Sequence, residues 1–540
     1  MKNVMKIIFC LIVIAGILFI FRENSVKIKS NNPMFRILIN GDNIAYKEGS
    51  EPFYKDGGMY IPFETVKKTL DKNIFYDEKA NKVIFTNKDK VIKYKVGEKN
   101  KTVNFKEVEC KYPVIEKDSF IYIPVNDLKE ELNIDIKVNE NNKMVTILEN
   151  STEEAVINYS NVNVYTDMKT DSKVVKTLKY GEAVNVYKDK LKHARWEKVS
   201  TKDGSFGYMP KVEYEKKTDT TPNKKETAKN EPKEKVVMFW QQGNSVSVLG
   251  DKIDGVTTAS PDWFDIENAQ GDFTSKVSVE YLAKAKANGY ELWPMFSNVN
   301  TTGATAIVSE LVNSEENRQK AIENIVKLVD TYKLDGVNID FENMKEADKH
   351  LFTQFIRELA PLLKEKNVKL SVDIYLVNYV ERPRIAEAAD YIVVMAYDQH
   401  WSGSNKSGSV SEISWAEGII KEMLEGSKIP AEKLILGVPF FTKVWEEKPG
   451  SKPSATNIGI DATKKYVSKN KLNPAYDEKS GQNYVEFNKG NSKIKLWIED
   501  SMSIKKRAEF VKKYNLAGIS AWQKVFSGDE IWPEIVNNIK

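Results

Sequence analysis

Short apolar segments recur eight times after residue 235, and stretches of helical character lie between them. Each segment has the length of a buried strand, and they occupy residues 236–240, 255–260, 291–296, 336–340, 370–374, 391–396, 434–438 and 518–521. Between the third and fourth segments one helix face is marked by Ala321, Ile322, Ile325, Val329 and Tyr332. Strands that alternate with helices form parallel sheets, and eight of them close into a barrel. Residues 236–540 are therefore predicted to form a (β/α)8 TIM barrel.

The spacing between the last two strands of this barrel is unusual. About 80 residues separate the seventh segment from the eighth, which is too long for one crossover connection. A small α+β insertion is therefore predicted at about residues 443–500.

The fourth segment carries polar side chains where a barrel needs apolar ones. Residues 335–342 read Asp-Gly-Val-Asn-Ile-Asp-Phe-Glu. Because side chains alternate along a strand, Asn338, Asp340 and Glu342 share one face, which is predicted to point into the barrel. Three polar groups facing a barrel interior are costly unless they are paired or functional. Active sites of such barrels lie at the carboxyl ends of the strands, so this segment is the predicted site.

The spacing of the two carboxylates suits glycoside cleavage. Such cleavage needs a carboxylic acid that protonates the leaving oxygen, and Glu342 is the outermost of the three residues. Asp340 lies two residues inward on the same face. Its charge is expected to raise the pKa of Glu342 and to keep this acid protonated near neutral pH.

Four segments of the barrel resemble family-18 glycoside hydrolases, the chitinase family. Residues 335–342 are similar to the family signature Asp-x-x-Asp-x-Asp-x-Glu, and residues 395–398 to its Met-x-Tyr-Asp motif. Residues 436–441 are similar to Gly-x-Pro-x-Tyr/Phe, and Gly518–Trp522 to Gly-x-x-x-Trp. The form of the first motif most resembles the subgroup of N-acetylglucosaminidases that degrade spore cortex and peptidoglycan.

The resemblance implies a retaining mechanism in which the 2-acetamido oxygen of the substrate acts as nucleophile. It implies that Glu342 serves as acid and then as base, and that Asp340 orients the acetamido group. It also implies that Tyr397 donates a hydrogen bond to the acetamido oxygen and that Trp522 forms the floor under the sugar. The alternatives are packing within the barrel for Tyr397 and a strand-end anchor for Trp522.

Other residues are weaker candidates for substrate contact. Asn338 stands where the family has its second Asp, a residue that tunes the charge around the acid, so the pH profile is open. Asp373 and Asp398 are candidates for contacts to the substrate or to the acid. Stacking on flanking sugars and buried packing are both open for Trp240, Trp293 and Trp401.

Residues 34–149 contain an internal duplication. The sequence at 58–64 resembles that at 120–126, and a short amphipathic stretch and a later strand follow each copy. These residues are similar to the repeats of the copper amine oxidase N-terminal domain. The segment contains no histidine, so no copper is expected, and a spacer or wall-contact role is predicted for this duplicated α+β domain.

Residues 155–215 are predicted to form a small β-barrel. Short strands, a Tyr-Gly corner and a late Trp-x-Lys-Val strand resemble a bacterial SH3 domain, which implies binding of wall peptide or glycan. A barrel that serves only as a spacer is the alternative. Residues 216–235 are rich in Lys, Thr, Glu, Asn and Pro and are predicted to be a flexible linker.

The first 23 residues have the pattern of a targeting segment. Two lysines precede an apolar run at 7–21, and Arg22-Glu23 follows it. Since no small-x-small cleavage site follows, an uncleaved signal anchor is predicted, with a removed signal peptide as the alternative. The lysines would keep the N-terminus in the cytoplasm and place the remainder outside.

Composition excludes several other classes of function. With 81 basic and 77 acidic residues the net charge is only +4, and the basic residues are spread, so nucleic acid is not an expected partner. Three histidines far apart in sequence make a histidine-based metal site improbable, and no cofactor is expected. Cys10 and Cys110 are not expected to form a disulfide.

Three functional hypotheses follow. The first is a membrane-anchored hydrolase of N-acetylglucosamine-containing glycan such as peptidoglycan or spore cortex. The second is an enzyme of the same mechanism that acts on chitin or another β-1,4 glycan. The third is a non-catalytic wall-glycan-binding protein, against which the presence of Glu342 argues.

Overall fold

A computed structural model of the chain divides into two compact units. The N-terminal unit consists of Met1–Lys72 and Val114–Pro222, and the barrel unit consists of Asn73–Pro113 and Asn223–Lys540. The structure describes residues 35–39, 42–132, 134–141, 143–148, 152–159, 161–187, 195–211, 214–216, 234–528 and 530–539. The predicted signal anchor and nearly all of the predicted linker lie outside these residues.

The barrel of the barrel unit is a closed parallel sheet of eight strands, in agreement with the prediction. Barrel strands 1 to 8 are Val236–Gln241, Thr258–Ile266, Glu291–Leu292 with Met295–Ser297, Gly336–Asp340, Lys369–Ile374, Tyr391–Met395, Leu434–Pro439 and Gly518–Trp522. Strand 1 pairs in parallel with both strand 2 and strand 8, which closes the ring. Strand 2 begins and ends later than predicted, and a short strand, Phe273–Ser275, returns antiparallel along its end.

Helices surround the barrel and bury one apolar face each. They are Val246–Leu249, Val279–Ala287, Ala304–Asn313, Glu315–Tyr332, Lys349–Glu365, Arg382–Ala388, Ile413–Lys421, Ser501–Lys513 and Ile531–Asn538, with short helical turns at Glu346–Asp348, Glu422–Gly426, Ala431–Lys433 and Lys524–Phe526. The predicted face of Glu315–Tyr332 packs inward, because Ala321, Ile322 and Ile325 are fully buried. None of the helices in the described part of the chain is both long and apolar enough to cross a membrane.

The predicted insertion between strands 7 and 8 is a small α+β layer. Five antiparallel strands and one helix form it: Phe441–Glu447, Ser454–Gly459, Ala475–Asp477, Gln482–Lys489, Ser492–Ile498 and the helix Ile460–Lys469. Val485, Ile494, Leu496 and Ile498 form its core.

A five-stranded antiparallel meander from the N-terminal half of the sequence packs on the outside of the barrel. Its strands are Phe75–Asp77, Lys82–Thr86, Val91–Lys95, Asn100–Val103 and Lys106–Glu109. Ile84 and Val91 join the apolar core that the barrel shares with its helices. The segment 34–149, predicted as one domain, is thus divided between the two units, and its boundaries stay a prediction.

Buried ion pairs reinforce the contact between meander and barrel. Lys93 lies 2.7 Å from Glu315 and 2.9 Å from Glu358, and Arg318 lies 3.0 Å from Asp77 and 3.3 Å from Glu358. All five side chains are at most 7% exposed. Such a network is costly to break, because a charge left buried without its partner loses both water and its counter-ion.

The N-terminal unit contains the repeated strand and the helix after it from each copy of the duplication, whereas the later strand of the first copy, Lys82–Thr86, belongs to the barrel unit. The repeated strands Gly58–Pro62 and Phe120–Pro124 pair antiparallel with each other, and each is followed by a helix, Phe63–Thr69 or Val125–Leu132. Phe53–Lys55 and Ile115–Lys117 complete the four-stranded sheet of the repeated strands. A second four-stranded sheet of this unit consists of Arg36–Ile39, Asp42–Ile44, Asp135–Asn139 and Met144–Leu148.

The region predicted as SH3-like forms one seven-stranded antiparallel sheet. Its strands are Thr152–Ile157, Val162–Tyr165, Val174–Leu178, Ala183–Tyr187, Trp196–Thr201, Phe206–Pro210 and Tyr214–Lys216. Ala155, Ile157, Val164 and Val199 belong to its buried core. The structure thus has a β-rich element at this place, and its assignment as an SH3 domain stays a prediction.

Candidate active site

A cleft of about 160 Å³ opens at the carboxyl ends of the barrel strands. It brings together residues from seven of the eight strands or the loops that follow them. Among the predicted site residues, the cleft is lined by Glu342, Asp340, Asp373, Tyr397, Asp398, Trp240 and Trp522. Residues far apart in sequence therefore meet in one place, as the parallel barrel requires.

Strand 4 has two chemically different faces. Val337, Ile339 and Phe341 are buried in the core between barrel and helices, where the Phe341 ring lies 6.0 Å from that of Phe355. The opposite face carries Asp340 and Glu342, which line the cleft. Strand alternation thus carries both carboxyl groups to the cleft while the apolar face anchors the strand.

Glu342 is half-buried at the end of strand 4. Burial, and secondarily the charge of Asp398, raises the pKa of Glu342 to about 6. This cause differs from the predicted one, in which Asp340 supplied the repelling charge. An acid with this pKa is partly protonated near neutral pH and can donate a proton.

Asp340 and Asp373 are two deeply buried carboxyl groups, 4% and 5% exposed. Burial, and then the charges of Asp373 and Glu342, raises the pKa of Asp340 well above its ordinary value. Burial raises the pKa of Asp373 to about 8, although hydrogen bonds from Asn338 and Trp240 act in the opposite direction. Oδ1 of Asp340 has no hydrogen-bond partner among the described residues, so it is available to a ligand in the cleft.

Asn338 lies under the cleft and is fully buried. Its amide nitrogen donates to Asp373 Oδ1 at 2.7 Å, and its oxygen accepts from Trp240 Nε1 at 2.9 Å and from Ser260 Oγ at 3.1 Å. Trp240 Nε1 also donates to Asp373 Oδ2 at 3.1 Å. These hydrogen bonds lie within the protein, where Asn338 positions Asp373 and Trp240, and contact of Asn338 with substrate stays a prediction.

Aromatic rings form one wall of the cleft. The Trp240 ring lies 6.4 Å from Tyr397 and 6.1 Å from Trp522, and Tyr375 lies 6.2 Å from Tyr397. Trp522 is half-buried at the end of strand 8. Rings of this kind offer apolar faces to a sugar, and the tyrosine and tryptophan polar atoms offer hydrogen bonds.

Asp398 forms an ion pair with a lysine of the insertion. It has a left-handed backbone, with φ of 57°, and its Oδ1 lies 3.2 Å from Nζ of Lys443, which is only 3% exposed. Lys443 belongs to the first strand of the insertion, so this layer contributes a cation beside the active site.

Two predicted tryptophans do not line the cleft. Trp401 is 58% exposed on the loop after strand 6. Trp293 is buried near the opposite end of the strands, where it stacks on Tyr391 at 5.4 Å and donates to Glu291 at 3.0 Å. Contact of Trp401 with distant sugars stays a prediction, whereas Trp293 is a packing residue.

Asn298 is a residue of the site that sequence reasoning missed. It is 2% exposed directly after strand 3, and its side chain grips the backbone of Glu342 twice. Oδ1 of Asn298 accepts from the Glu342 N–H at 2.7 Å, and Nδ2 donates to the Glu342 carbonyl at 2.9 Å. Asn298 could have been predicted because it follows the carboxyl end of strand 3, and the same position after strand 4 led to the prediction of Glu342.

Neighbouring side chains fix the next peptide as well. The hydroxyl of Tyr379 accepts from the Asn343 N–H at 3.2 Å, and Thr305 Oγ1 donates to the Asn343 carbonyl at 2.9 Å. Asn343 itself has a left-handed backbone, with φ of 53°. The turn that carries Glu342 is thus fixed by side chains from two loops and from the helix Ala304–Asn313.

Potential metal ligands are not grouped in the part of the chain that the structure describes. No three His, Cys, Asp or Glu side chains are arranged there to hold a metal ion. Cys110 is buried, and its Sγ donates to the Lys99 carbonyl at 2.9 Å.

Comparison with known proteins agrees with this geometry. The model of glycosyl hydrolases family 18 matches residues 235–524, and that of the copper amine oxidase N-terminal domain matches residues 38–147. The uncharacterized glycosylase YvbX of Bacillus subtilis is 26% identical over 290 residues, which are 50% of this chain and 81% of that protein. The cortical fragment-lytic enzyme of Bacillus subtilis is 24% identical over 235 residues, 41% of this chain and only 54% of that protein.

Solved structures share the fold of the barrel. The spore cortex-lytic enzyme SleL of Bacillus megaterium has a TM-score of 0.52 at 20% identity, with 57% of this chain and 74% of that chain covered. A chitinase from Chromobacterium violaceum has a TM-score of 0.51 at 19% identity, with 56% and 99% covered. The family match spans more than half of the sequence and includes every residue of the cleft. The chain is therefore a glycoside hydrolase and belongs to glycosyl hydrolases family 18.

Proposed function

We propose that the enzyme hydrolyses β-1,4 bonds of an N-acetylglucosamine-containing glycan of the peptidoglycan or spore-cortex type. We further propose a retaining mechanism in which the substrate supplies the nucleophile. The observation that supports this mechanism is the pairing of Glu342, with a pKa of about 6, with a buried Asp340 whose pKa is raised well above its ordinary value.

The carboxyl groups of the cleft are poorly suited to act as the nucleophile. Most retaining glycosidases use a second, ionised carboxylate that attacks the sugar. Burial raises the pKa of Asp340 well above its ordinary value and the pKa of Asp373 to about 8, which favours the neutral acid over the carboxylate in both groups, and neutral acids are weak nucleophiles. Asp398 is engaged by Lys443 at 3.2 Å. The acetamido oxygen of the substrate is the remaining candidate.

In the first step, Glu342 donates its proton to the glycosidic oxygen and the bond from this oxygen to C1 breaks. The acetamido oxygen attacks C1 and forms an oxazolinium ion, while Asp340 accepts a hydrogen bond from the acetamido N–H. In the second step, the Glu342 carboxylate removes a proton from water as the water attacks C1. The oxazolinium ring opens as its oxygen leaves C1, the configuration at C1 is retained overall, and Glu342 is protonated again.

Tyr397 and the aromatic wall position the sugar in this proposal. The Tyr397 hydroxyl would donate to the acetamido oxygen and lower its mobility, which favours attack on C1. Trp522 and Trp240 would form an apolar surface against the sugar ring.

The choice of peptidoglycan rests on the relatives and on the accessory elements. A named relative is a cortical fragment-lytic enzyme, and a duplicated domain and a β-rich domain precede the barrel. Hydrolysis of chitin or another β-1,4 N-acetylated glycan is the second candidate, since a chitinase shares the fold.

Product analysis tests the mechanism and the substrate together. Residues 24–540 would be incubated with N-acetylated peptidoglycan, with its chemically de-N-acetylated form, and with N-acetylglucosamine oligomers. We expect cleavage of the first substrate, with new ends at N-acetylglucosamine and the β-anomer formed first in proton NMR. The de-N-acetylated form should resist cleavage.

Each alternative gives a different result. Equal turnover of the de-N-acetylated glycan would exclude the acetamido nucleophile, and the α-anomer as first product would exclude retention. Cleavage of the oligomers alone would favour the chitinase-type function. Tight binding of glycan without any cleavage would identify a non-catalytic wall-binding protein.

We also propose that the apolar run at 7–21 anchors the enzyme outside the cytoplasmic membrane and that the SH3-like region contacts wall peptide. The lysines before the run support the orientation. Release of the protein by detergent but not by high salt, with protease access in intact wall-free cells, is expected. A protein recovered in the medium with a shortened N-terminus would indicate signal cleavage instead.

A further inference from the structure

A second acidic pair, of which one member lines the cleft, plays no part in the proposed proton transfers. Asp262 and Asp265 are 4% and 6% exposed on strand 2. The pairing register of strand 2 against strand 3 shifts between Asp262 and Phe264, which is the mark of a β-bulge. A bulge changes which side chains share a face.

The bulge explains why two acids three residues apart meet. Trp263 and Phe264 are adjacent in sequence, yet both are buried in the core outside the barrel, against Tyr281 at 5.6 Å and Phe296 at 4.5 Å. Asp262 and Asp265 share a partner on the opposite side, since Asn300 Nδ2 donates to Asp262 Oδ2 and to Asp265 Oδ1, both at 3.1 Å.

Three of the four carboxylate oxygens in this pair are engaged. Lys276 Nζ forms an ion pair with Asp265 Oδ2 and lies 3.7 Å from Asp262 Oδ2. Oδ1 of Asp262 has no hydrogen-bond partner among the described residues. Asp262 and Asn300 line the same cleft as Asp340 and Glu342. A buried acceptor left unpaired is costly, and a ligand that donates to it removes this cost.

We propose that Asp262, held in place by Asn300, binds a free hydroxyl group of the N-acetylated sugar that lies over Asp340. This inference rests on the proposed function and deepens it. Oδ1 of Asp262, which lacks a partner among the described residues, can accept a hydrogen bond. Hydroxyl groups are the donors that a neutral sugar presents at this place. A sugar ammonium group fits less well, because Lys276 already supplies a positive charge to the acidic pair.

The hydroxyl can be one of two. An interior residue of a β-1,4-linked N-acetylglucosamine polymer has free hydroxyl groups only at C3 and C6. If Asp262 binds the C3 hydroxyl, a sugar that carries an ether substituent at C3, as muramic acid does, is excluded from this position. In that case Asp262 is a specificity-determining residue for the sugar whose bond is cleaved.

Deoxy substrates combined with a truncated side chain test the proposal. The probes are the aryl β-glycoside of N,N′-diacetylchitobiose and its forms that lack the C3 or the C6 hydroxyl in the sugar next to the aryl group. We expect Asp262→Ala in residues 24–540 to lower kcat/KM on the parent glycoside by about 10- to 100-fold. On one of the two deoxy glycosides the same substitution should cost almost nothing, because its partner is already absent.

Controls separate this outcome from misfolding and from failure of the proposed function. Asp251→Asn removes one negative charge at an exposed side chain that pairs with Lys284, and it should leave kcat/KM unchanged. If Asp262→Ala does not fold, Asp262→Asn keeps the size of the side chain and the acceptor for Asn300, and it turns a donor toward the cleft. Equal losses on the parent and both deoxy substrates would overturn the hydroxyl contact. A wild-type enzyme that cleaves neither the parent glycoside nor N-acetylated peptidoglycan would contradict the proposed function itself.

Discussion

Glu342 and Asp398 determine the pH dependence of the site. Burial and the charge of Asp398 raise the pKa of Glu342 to about 6. In the proposed mechanism Glu342 must be protonated in the first step, so the enzyme is expected to be active below this pKa and inactive above it. The structure therefore predicts that kcat/KM falls as the pH rises through about 6.

Removal of the Asp398 charge should shift the pH at which kcat/KM falls. A negative charge raises the pKa of a nearby acid, so Asp398→Asn is expected to lower the pKa of Glu342 and to shift the fall in kcat/KM to lower pH. The measurement is the pH profile of kcat/KM for wild type and variant. Asp330→Asn, at an exposed side chain paired with Lys366, is the control that should leave the profile in place. If kcat/KM of Asp398→Asn fell at the same pH as that of wild type, another group would be responsible for the fall.

At the residue scale the sequence predicted that Asp340 and Glu342 meet in one cleft, but it did not predict the side chains that surround them. Glu342 and Asp340 could be found because strand alternation and position in the fourth strand depend on local sequence alone. Asp262 and Asp265 could not, since their common face depends on a bulge in strand 2 that the apolar pattern does not reveal. The buried place of Asn338 depends on Trp240 and Asp373, which are 98 and 35 residues away.

Among the elements, the turn after strand 4 is held by side chains of other loops. Asn298 makes hydrogen bonds to both the N–H and the carbonyl of Glu342, at 2.7 and 2.9 Å. Asn298→Ala is expected to lower kcat about 10- to 100-fold, because a small displacement of a catalytic group is costly. KM should change little, since the aromatic wall is untouched.

The steady-state parameters of Asn298→Ala and Asn298→Asp check this prediction. Asp retains an acceptor for the Glu342 N–H but loses the donor to its carbonyl, so its kcat should lie between those of wild type and Ala. Equal kcat values for all three proteins would exclude a positioning role for Asn298. Thermal unfolding of each protein shows whether a loss of kcat reflects a loss of fold.

Elements with strong periodicity were predicted well. All eight barrel strands exist at or near the predicted positions, and the α+β insertion lies where the long connection indicated it. Strand 2 was placed too early, because 255–257 is apolar enough to resemble its start while the strand runs on to Ile266. The left-handed Asp398 and its ion pair with Lys443 depend on the insertion, which local patterns do not orient.

Over the whole molecule, the barrel unit is assembled from two separate stretches of sequence. The duplication in residues 34–149 indicated relatedness of the two copies, but not which sheet packs on which neighbour. Lys93 meets Glu315 and Glu358 across more than 200 positions of sequence, and such contacts leave no local signal. The meander at Asn73–Pro113 therefore belongs to the barrel unit by its contacts.

The ion network predicts the stability of this arrangement. Lys93→Ala leaves Glu315 and Glu358 buried without their shared cation, and we expect a loss of about 3–5 kcal/mol in the free energy of unfolding. Lys95→Ala, on the same strand but 53% exposed, should cost only about 0–1 kcal/mol. Chemical unfolding followed by tryptophan fluorescence, which reports on the barrel, provides the comparison. Equal stability of the two variants would mean that the meander does not support the barrel.

Turnover by Glu342→Gln tests the central claim most directly. Glutamine keeps the shape of the side chain but cannot donate the proton, so kcat on N-acetylated glycan should fall about 100- to 10,000-fold while the unfolding temperature stays that of wild type. Glu346→Gln, at an exposed side chain nearby in sequence, should retain full activity. Glycan cleavage by Glu342→Gln at the wild-type rate would contradict the assignment of the acid and with it the mechanism proposed for this cleft.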